Sequence, residues 1–132
     1  MADTSSRSVQ CVVVTPERTL IDESVDFVSI PMYDGELGVL PGRAPLIGRL
    51  GPGELRTRRG NEVHHYFIDG GFAQINHNVV TILTPRAQKA EDIDTQAATQ
   101  ILQNPPNGEN RAKNQQRARV QLRVAQRAGR AG

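Results

Sequence analysis

The sharpest functional signal in this chain is the recurrence of Arg119, Arg123 and Arg127 at every fourth position. On a helix, residues four apart fall on one side, so their guanidinium groups form a positive stripe. Arg111, Lys113, Arg117 and Arg130 add to it, and only Glu109 offers an opposing charge within residues 105–132. Like charges four apart destabilise a helix by roughly 0.2–0.5 kcal/mol per pair. A stripe that tolerates this cost fits an acidic partner, because the guanidinium fork suits carboxylates. The alternative is a solvated basic helix that only aids solubility.

Catalytic patterns are weak by comparison. The chain carries no Gly-rich phosphate loop ending in Lys and Ser or Thr. His64 and His65 are adjacent in a strand-like run and must point to opposite faces, and His77 stands alone in a turn, so no metal-ligand spacing emerges. Cys11 sits in an apolar run without an identifiable base; it is expected as a small buried hydrophobe. These residues point away from an enzyme and from a bound cofactor. The segment Gly35–Leu46, GELGVLPGRAPL, is different in kind: its glycines and prolines specify a loop of one shape.

The elements that position these groups divide the chain in two. Residues 105–132 carry a net charge of +6 and residues 1–104 a net −4, a mildly acidic body with a basic tail. From residue 8 to 84, short β-favouring runs alternate with turn residues: Val9–Thr15, Val25–Ile30, Glu54–Arg58, Glu62–Asp69, Phe72–Ile75 and Val79–Thr84. Asp34-Gly35, Pro41-Gly42, Gly51-Pro52-Gly53, Gly60-Asn61, Gly70-Gly71 and Asn76-His77-Asn78 punctuate them. This rhythm predicts an antiparallel sandwich, with sheet closing against sheet because no helical period precedes residue 85.

After Pro85 the composition shifts to Ala, Gln and Arg. Asp92 or Asp94 can cap a helix carrying Ile93, Ala97 and Ile101 on one face. Asn104-Pro105-Pro106-Asn107-Gly108 ends it, and Glu109–Ala128 is a second helix with a thin apolar stripe of Ala118, Leu122 and Ala125. Such small residues bury little area, so the expected hairpin is one that can detach from the body and redock. The reading is an α+β chain: a β-sandwich over 1–86, then a helical hairpin over 87–132. The chain has no run of apolar residues long enough to span a membrane, and MADTSSRSVQ lacks the regions of a signal peptide, so a bacterial cytoplasmic location is expected.

The Gly35–Leu46 segment resembles the signature G-E-L-G-[IV]-x-P-G-H-A-P-L of the epsilon subunits of F-type ATP synthases, matching eleven of twelve positions with Arg43 where His is common. Gly51-Pro52-Gly53 is similar to that family's K-P-G turn, Asp69-Gly70-Gly71-Phe72 to its S-G-G-[IF] hairpin, and Asn78–Leu83 to its N-x-V-T-[IV]-L strand. Glu91-Asp92-Ile93-Asp94 resembles its entry to the first helix, and Gln121-Leu122-Arg123-Val124 part of the last helix of some bacterial members.

The resemblance implies a sandwich of about ten strands with a helical hairpin, acting as a non-catalytic rotor subunit of a proton-translocating synthase. It implies gamma and the c-ring as partners of the sandwich, through Glu36, Leu37, Gly38, Val39, Arg43 and Leu46. Val39, Leu40 and Leu46 are equally suited to filling the sandwich. The resemblance further implies that the helices reach the alpha/beta head and restrain ATP hydrolysis, with Arg119, Arg123 and Arg127 meeting acidic segments there. The implied place is the cytoplasmic face of the bacterial inner membrane, touching the membrane only through other subunits. Some relatives bind regulatory ATP through [IL]-D-x-x-R-A; here Ile93 and Asp94 remain but Ala97 replaces the arginine, so nucleotide binding is expected to be weak. The competing reading is a small nucleic-acid-binding sandwich with a basic tail. Scarce aromatics and an acidic body argue against it.

Overall fold

The computed structural model of the chain describes residues 8–131, without the side chains of Arg130 and Ala131. The signal-peptide reading of the first residues therefore lies mostly outside the described residues, as does the contribution of the Arg130 side chain to the basic stripe.

Val-rich and alternating runs form eight strands: β1 (Val9–Val14), β2 (Thr19–Val25), β3 (Phe27–Met32), β4 (Gly35–Val39), β5 (Leu46–Arg59), β6 (Glu62–Asn76), β7 (Val79–Leu83) and β8 (Ala87–Lys89). They are hydrogen-bonded in the order β2-β1-β7-β6-β5-β3-β4, with β8 on β6. All pairs are antiparallel except β1 with β7, which run parallel.

The resemblance implies about ten strands and eight form among the described residues, because two glycine clusters bend strands rather than end them. Gly51-Pro52-Gly53 lies inside β5 and Gly70-Gly71 inside β6, and β5 and β6 keep one register from Leu46↔Ile75 to Arg59↔Glu62, interrupted only opposite Gly51 and Gly70. Neither cluster is the turn or hairpin that the residue types suggested. Gly71 takes φ +106°, and a Cβ there would run into the Leu83 carbonyl oxygen. A Cβ on Gly53 would stand 2.7 Å from Pro31 Cβ. Glycine thus lets the chain bend where backbones crowd. The true two-residue turn nearby is at His77 (φ 50°) and Asn78 (φ 62°), both left-handed as a tight hairpin requires.

The bends split β5 and β6 between two layers. The Leu46–Leu50 part of β5 and the Gly71–Ile75 part of β6 continue into β7, β1 and β2. The remainder of each strand pairs with β3 and β8, and β3 carries β4. Between the layers lies one apolar core, in which Val9, Cys11, Val13, Val80 and Ile82 meet Val28, Ile30, Leu55, Tyr66 and Ile68. Cys11 is fully buried there, and burial, followed by nearby Glu23, pushes its thiol up to about 12.

The Gly35–Leu46 segment also departs from expectation. Gly35–Val39 is strand β4, paired residue for residue with Met32–Val28, and only the stretch after it loops. The alternation Leu37/Val39 inward and Glu36/Gly38 outward is a strand's period, hidden in the sequence by the flanking glycines.

β8 extends the sheet to Lys89, three residues past the boundary expected at 86. A 3-10 turn follows (Ala90–Asp92), then α1 (Thr95–Gln103) and α2 (Arg111–Ala131). Asp94 caps α1, its Oδ1 accepting the Ala97 amide at 3.0 Å. Ile93 therefore precedes the helix instead of sharing its face, and Ala97 is exposed while Ala98 is buried. α1 packs on α2, and α2 lies across the outer face of the β3–β5–β6 layer.

Candidate functional site

Helix α2 meets the sandwich along Arg117, Val120, Gln121, Val124, Arg127 and Ala128, spacings that keep all six on one side. The middle of this stripe is apolar: Val120 and Val124 are buried against Phe67, Ala90 and Ile93, with Ala128 beside them. Its flanks are polar. Arg117 Nε donates to Asp69 Oδ2 at 2.9 Å, Gln121 Nε2 to Gln88 Oε1 at 2.7 Å, and Arg127 Nη1 to Glu54 Oε1 at 3.2 Å. Of the stripe expected to be apolar, Ala125 packs against this cluster, whereas Ala118, buried, and Leu122, half-buried, lie outside it.

Each i+4 step turns a helix by about 40°. Arg119, Arg123 and Arg127 therefore spiral rather than line up. Arg127 reaches the sandwich, Arg123 borders a cleft with Glu36 and Glu54, and Arg119 is exposed. Among the described residues, Arg119 and Arg123 pair with no carboxylate, while Arg117 and Arg127 do.

Glu54 is the centre of the polar contact. Its side chain is 9% exposed and receives three donors: Arg127, Arg56 Nη1 at 3.4 Å, and His65 Nδ1 at 3.1 Å. A carboxylate only accepts, so Nδ1 carries the imidazole proton, and His65 Nε2 is buried without a partner among the described residues. Arg56 also reaches Glu36 Oε1 at 3.2 Å, and Ser29 Oγ donates to that same Glu36 oxygen. Alternation along β4, β5 and β6 puts Glu36, Glu54, Arg56, His65 and Phe67 on one outer face, opposite Leu55, Tyr66 and Ile68 in the core.

The residues singled out in the Gly35–Leu46 segment separate by role. Val39 is buried in the core, and Leu37 and Leu46 pack against it from its edge. Gly38 lies under the Phe27 ring, where a Cβ would come within 3.1 Å of the ring edge. Glu36, Leu40 and Arg43 remain exposed. Ile93 is buried beneath α2 and Asp94 spends its carboxylate on the α1 cap. No group of three or more His, Cys, Asp or Glu able to hold a metal occurs among the described residues.

One surface was not anticipated. On the outer face of the other layer, Ile47, Phe72 and Leu83 are all more than half exposed, with Val79 nearby on β7. Phe72 pairs directly with both Leu83 and Arg49, and Ile47 with Gln74. Arg49 stacks over exposed Tyr33, its Cζ 4.8 Å from the ring centre. The available signal was β7 itself: VVTIL is apolar on both faces, as strands covered on both sides are. A cleft of about 590 Å³ opens beside this edge, lined by Met32, Tyr33, Gly35, Leu37, Leu46 and Arg49 among others.

Comparison with known proteins agrees with this architecture. Residues 8–90 match the family model described as the ATP synthase, Delta/Epsilon chain, beta-sandwich domain. The chain is similar to the ATP synthase epsilon chain of Rhodopirellula baltica, 55% identical over 95 residues, spanning 72% of this chain and 74% of that one. It is also similar to the epsilon chain of Nitratidesulfovibrio vulgaris, 41% identical over 92 residues, or 70% and 69% of the two chains. Among solved structures, a chain in the Euglena gracilis mitochondrial ATP synthase OSCP/F1/c-ring assembly superposes with a TM-score of 0.71 at 25% identity, covering 95% of this chain and 81% of that one. A chain of the Tetrahymena thermophila mitochondrial ATP synthase central stalk and c-ring shares the fold, with a TM-score of 0.63 at 14% identity over 91% and 95% of the chains.

Proposed function

We infer the role of this chain from the family to which it belongs, the delta/epsilon chains of ATP synthase. It is an epsilon chain, a non-catalytic subunit of the central stalk. Our proposal is that it joins gamma and the c-ring in the rotor of a bacterial, proton-translocating synthase at the cytoplasmic face of the membrane. There the sandwich passes c-ring rotation to the head, and the C-terminal helices restrain ATP hydrolysis. No helix among the described residues is long and apolar enough to cross a membrane, which fits attachment through other subunits.

The observation that carries the braking role is the division of α2 into docked and undocked arginines. Among the described residues, exposed Arg119 and Arg123 form no ion pair with the sandwich, although Arg123 borders the cleft with Glu36 and Glu54, and so both stay available to an acidic surface on the head. The exposed apolar patch of Ile47, Phe72 and Leu83 gives the sandwich a second surface, suited to gamma and separate from the one that α2 covers. Exposed Glu36 and Arg43 are the members of the Gly35–Leu46 segment accessible to the c-ring.

The test uses a catalytic head preparation lacking this chain. Adding the full chain is expected to lower the ATP hydrolysis rate. Adding Arg119→Gln/Arg123→Gln chain is expected to bind the head equally, by co-purification, and to inhibit less. Equal inhibition by both removes the arginines from the brake. Failure of the full chain to bind overturns the subunit assignment within this complex.

A further inference from the structure

The loop between the two helices holds a group whose chemistry the proposed function does not use. Residues 104–110 read Asn-Pro-Pro-Asn-Gly-Glu-Asn, and Asn107 is the one asparagine of the chain followed by glycine. Asn107 and Gly108 are both exposed, in irregular backbone between α1 and α2. Gly108 takes φ +142°, and open space surrounds the point where a Cβ would stand. Among the described residues, its amide is engaged in no backbone hydrogen bond. With no side chain beside it, such an amide nitrogen can close on the carbonyl carbon of the preceding side chain.

Arg111 supplies the second half of the arrangement. Its Nη1 donates to Asn107 Oδ1 at 3.3 Å. A guanidinium on that oxygen draws electron density from the amide carbon, and it faces the charge the oxygen gains when a nucleophile adds. The neighbouring asparagines lack the first requirement. Asn61 precedes Glu62 and Asn110 precedes Arg111, each with a Cβ in the way, and Asn104 precedes Pro105, whose nitrogen carries no hydrogen.

We propose that Asn107 is a self-modification site, at which Gly108 and Arg111 turn the side-chain amide into a carboxylate. The deprotonated Gly108 nitrogen attacks Asn107 Cγ, and the carbonyl electron pair moves onto Oδ1, against Arg111. The carbonyl re-forms, the Cγ–Nδ2 bond breaks, and Nδ2 leaves as ammonia, water returning the proton that the Gly108 amide lost. Water then adds to one carbonyl of the five-membered imide, and the ring opens. Opening on one side gives aspartate. Opening on the other gives isoaspartate, with the main chain routed through the former side chain. The sum is water in and ammonia out, with no oxidant or reductant. The product carboxylate lies beside Arg111 at the start of α2. That end of the helix has no acid in its first turn and carries Arg111 and Lys113, cations set against the positive end of the helix dipole. One added negative charge there pairs with Arg111 and offsets this repulsion.

The experiment incubates the full-length chain in mildly alkaline buffer and digests samples with trypsin. Cleavage after Lys89 and Arg111 gives one peptide, residues 90–111, in which fragmentation places the mass gain of amide-to-acid exchange on a single asparagine. Enzymatic methylation of isoaspartate counts the second product. Asn107 is expected to convert at least about tenfold faster than Asn61, which is also exposed in a turn. Gly108→Ala should remove that advantage. Arg111→Gln should slow conversion by about twofold to fivefold, as for an exposed charge-assisted hydrogen bond. In converted chains, hydrogen exchange at the first-turn amides of α2 should slow by about twofold. Far-ultraviolet circular dichroism matching the parent shows that each variant is folded. Conversion of Asn107 no faster than that of Asn61 overturns the site. Equal rates in the parent and Arg111→Gln overturn the part given to the guanidinium.

Discussion

The two apolar clusters of this chain differ in size and in what closes them. The sandwich core draws buried residues from seven strands and is sealed by a continuous backbone ladder. The cluster under α2 has five buried residues, Phe67, Ala90, Ile93, Val120 and Val124, and is flanked by Arg–carboxylate pairs. Burial of a Val or Ile side chain contributes roughly 1.5–3 kcal/mol, whereas a partly exposed ion pair contributes about 0–1 kcal/mol. Sixteen buried residues thus hold the sandwich core, whereas five hold the helix contact, whose ion pairs add little. The body and the helix packed on it are built from the same alphabet in different proportions.

That contrast can be broken at its strong end first. Leu55→Ala removes a fully buried side chain between the layers and is expected to cost about 2–5 kcal/mol of global stability, read by denaturant unfolding. Gly71→Ala should come close to it, because the new methyl would meet the Leu83 carbonyl in a backbone conformation that L-residues avoid. Its signature is loss of β7 protection in hydrogen exchange before the rest of the sheet. Val124→Ala is the counterpart under the helix. A cost of about 1–3 kcal/mol is expected to appear as faster exchange in α2 with the β-strand amides still protected. If Val124→Ala instead lowers the unfolding midpoint as Leu55→Ala does, the two regions are one cooperative unit and the contrast fails.

A smaller effect sharpens the picture from the side of pH. Burial, with a contribution from Glu23, raises the Tyr66 phenol to about 12 from an ordinary 10.0. A raised phenol stabilises the fold below pH 10, where it is neutral in both states. Between about pH 10 and 12 the unfolded chain ionises first, and that stability is lost. Tyr66→Phe should accordingly flatten the decline of stability across this window, measured by unfolding at successive alkaline pH values. Equal slopes in parent and variant would remove Tyr66 from the alkaline transition.

Much of the sandwich could be read from residue types, because alternation and turn chemistry are local. The misread places were those where one residue type serves two purposes. Glycine ends a strand in Gly60-Asn61 but bends one in Gly70-Gly71, and only the neighbour across the sheet decides which. Glu36 reads as a loop acid because glycines flank it, yet β3 claims its backbone as a strand and Arg56 its side chain. On α2, Val120 and Val124 each follow an arginine of the four-residue repeat, so the apolar contact is masked by the charge pattern. Nothing local reveals that Arg117 and Arg127 meet acids 48 and 73 residues earlier. Such pairs are set by how the sheet folds over itself, which residue spacing within the tail does not encode.

The bends that let β5 and β6 belong to both layers also have a mechanical meaning. A twisting load applied to one face of the sandwich need not cross the apolar interface to reach the other, because two covalent strands already run through it. Sliding one layer over the other would pull on the β5–β6 ladder along its length, loading many backbone hydrogen bonds at once instead of unzipping them singly. The sandwich of this central-stalk subunit is built less like two plates pressed together than like one folded strap, creased at Gly51–Gly53 and Gly70-Gly71.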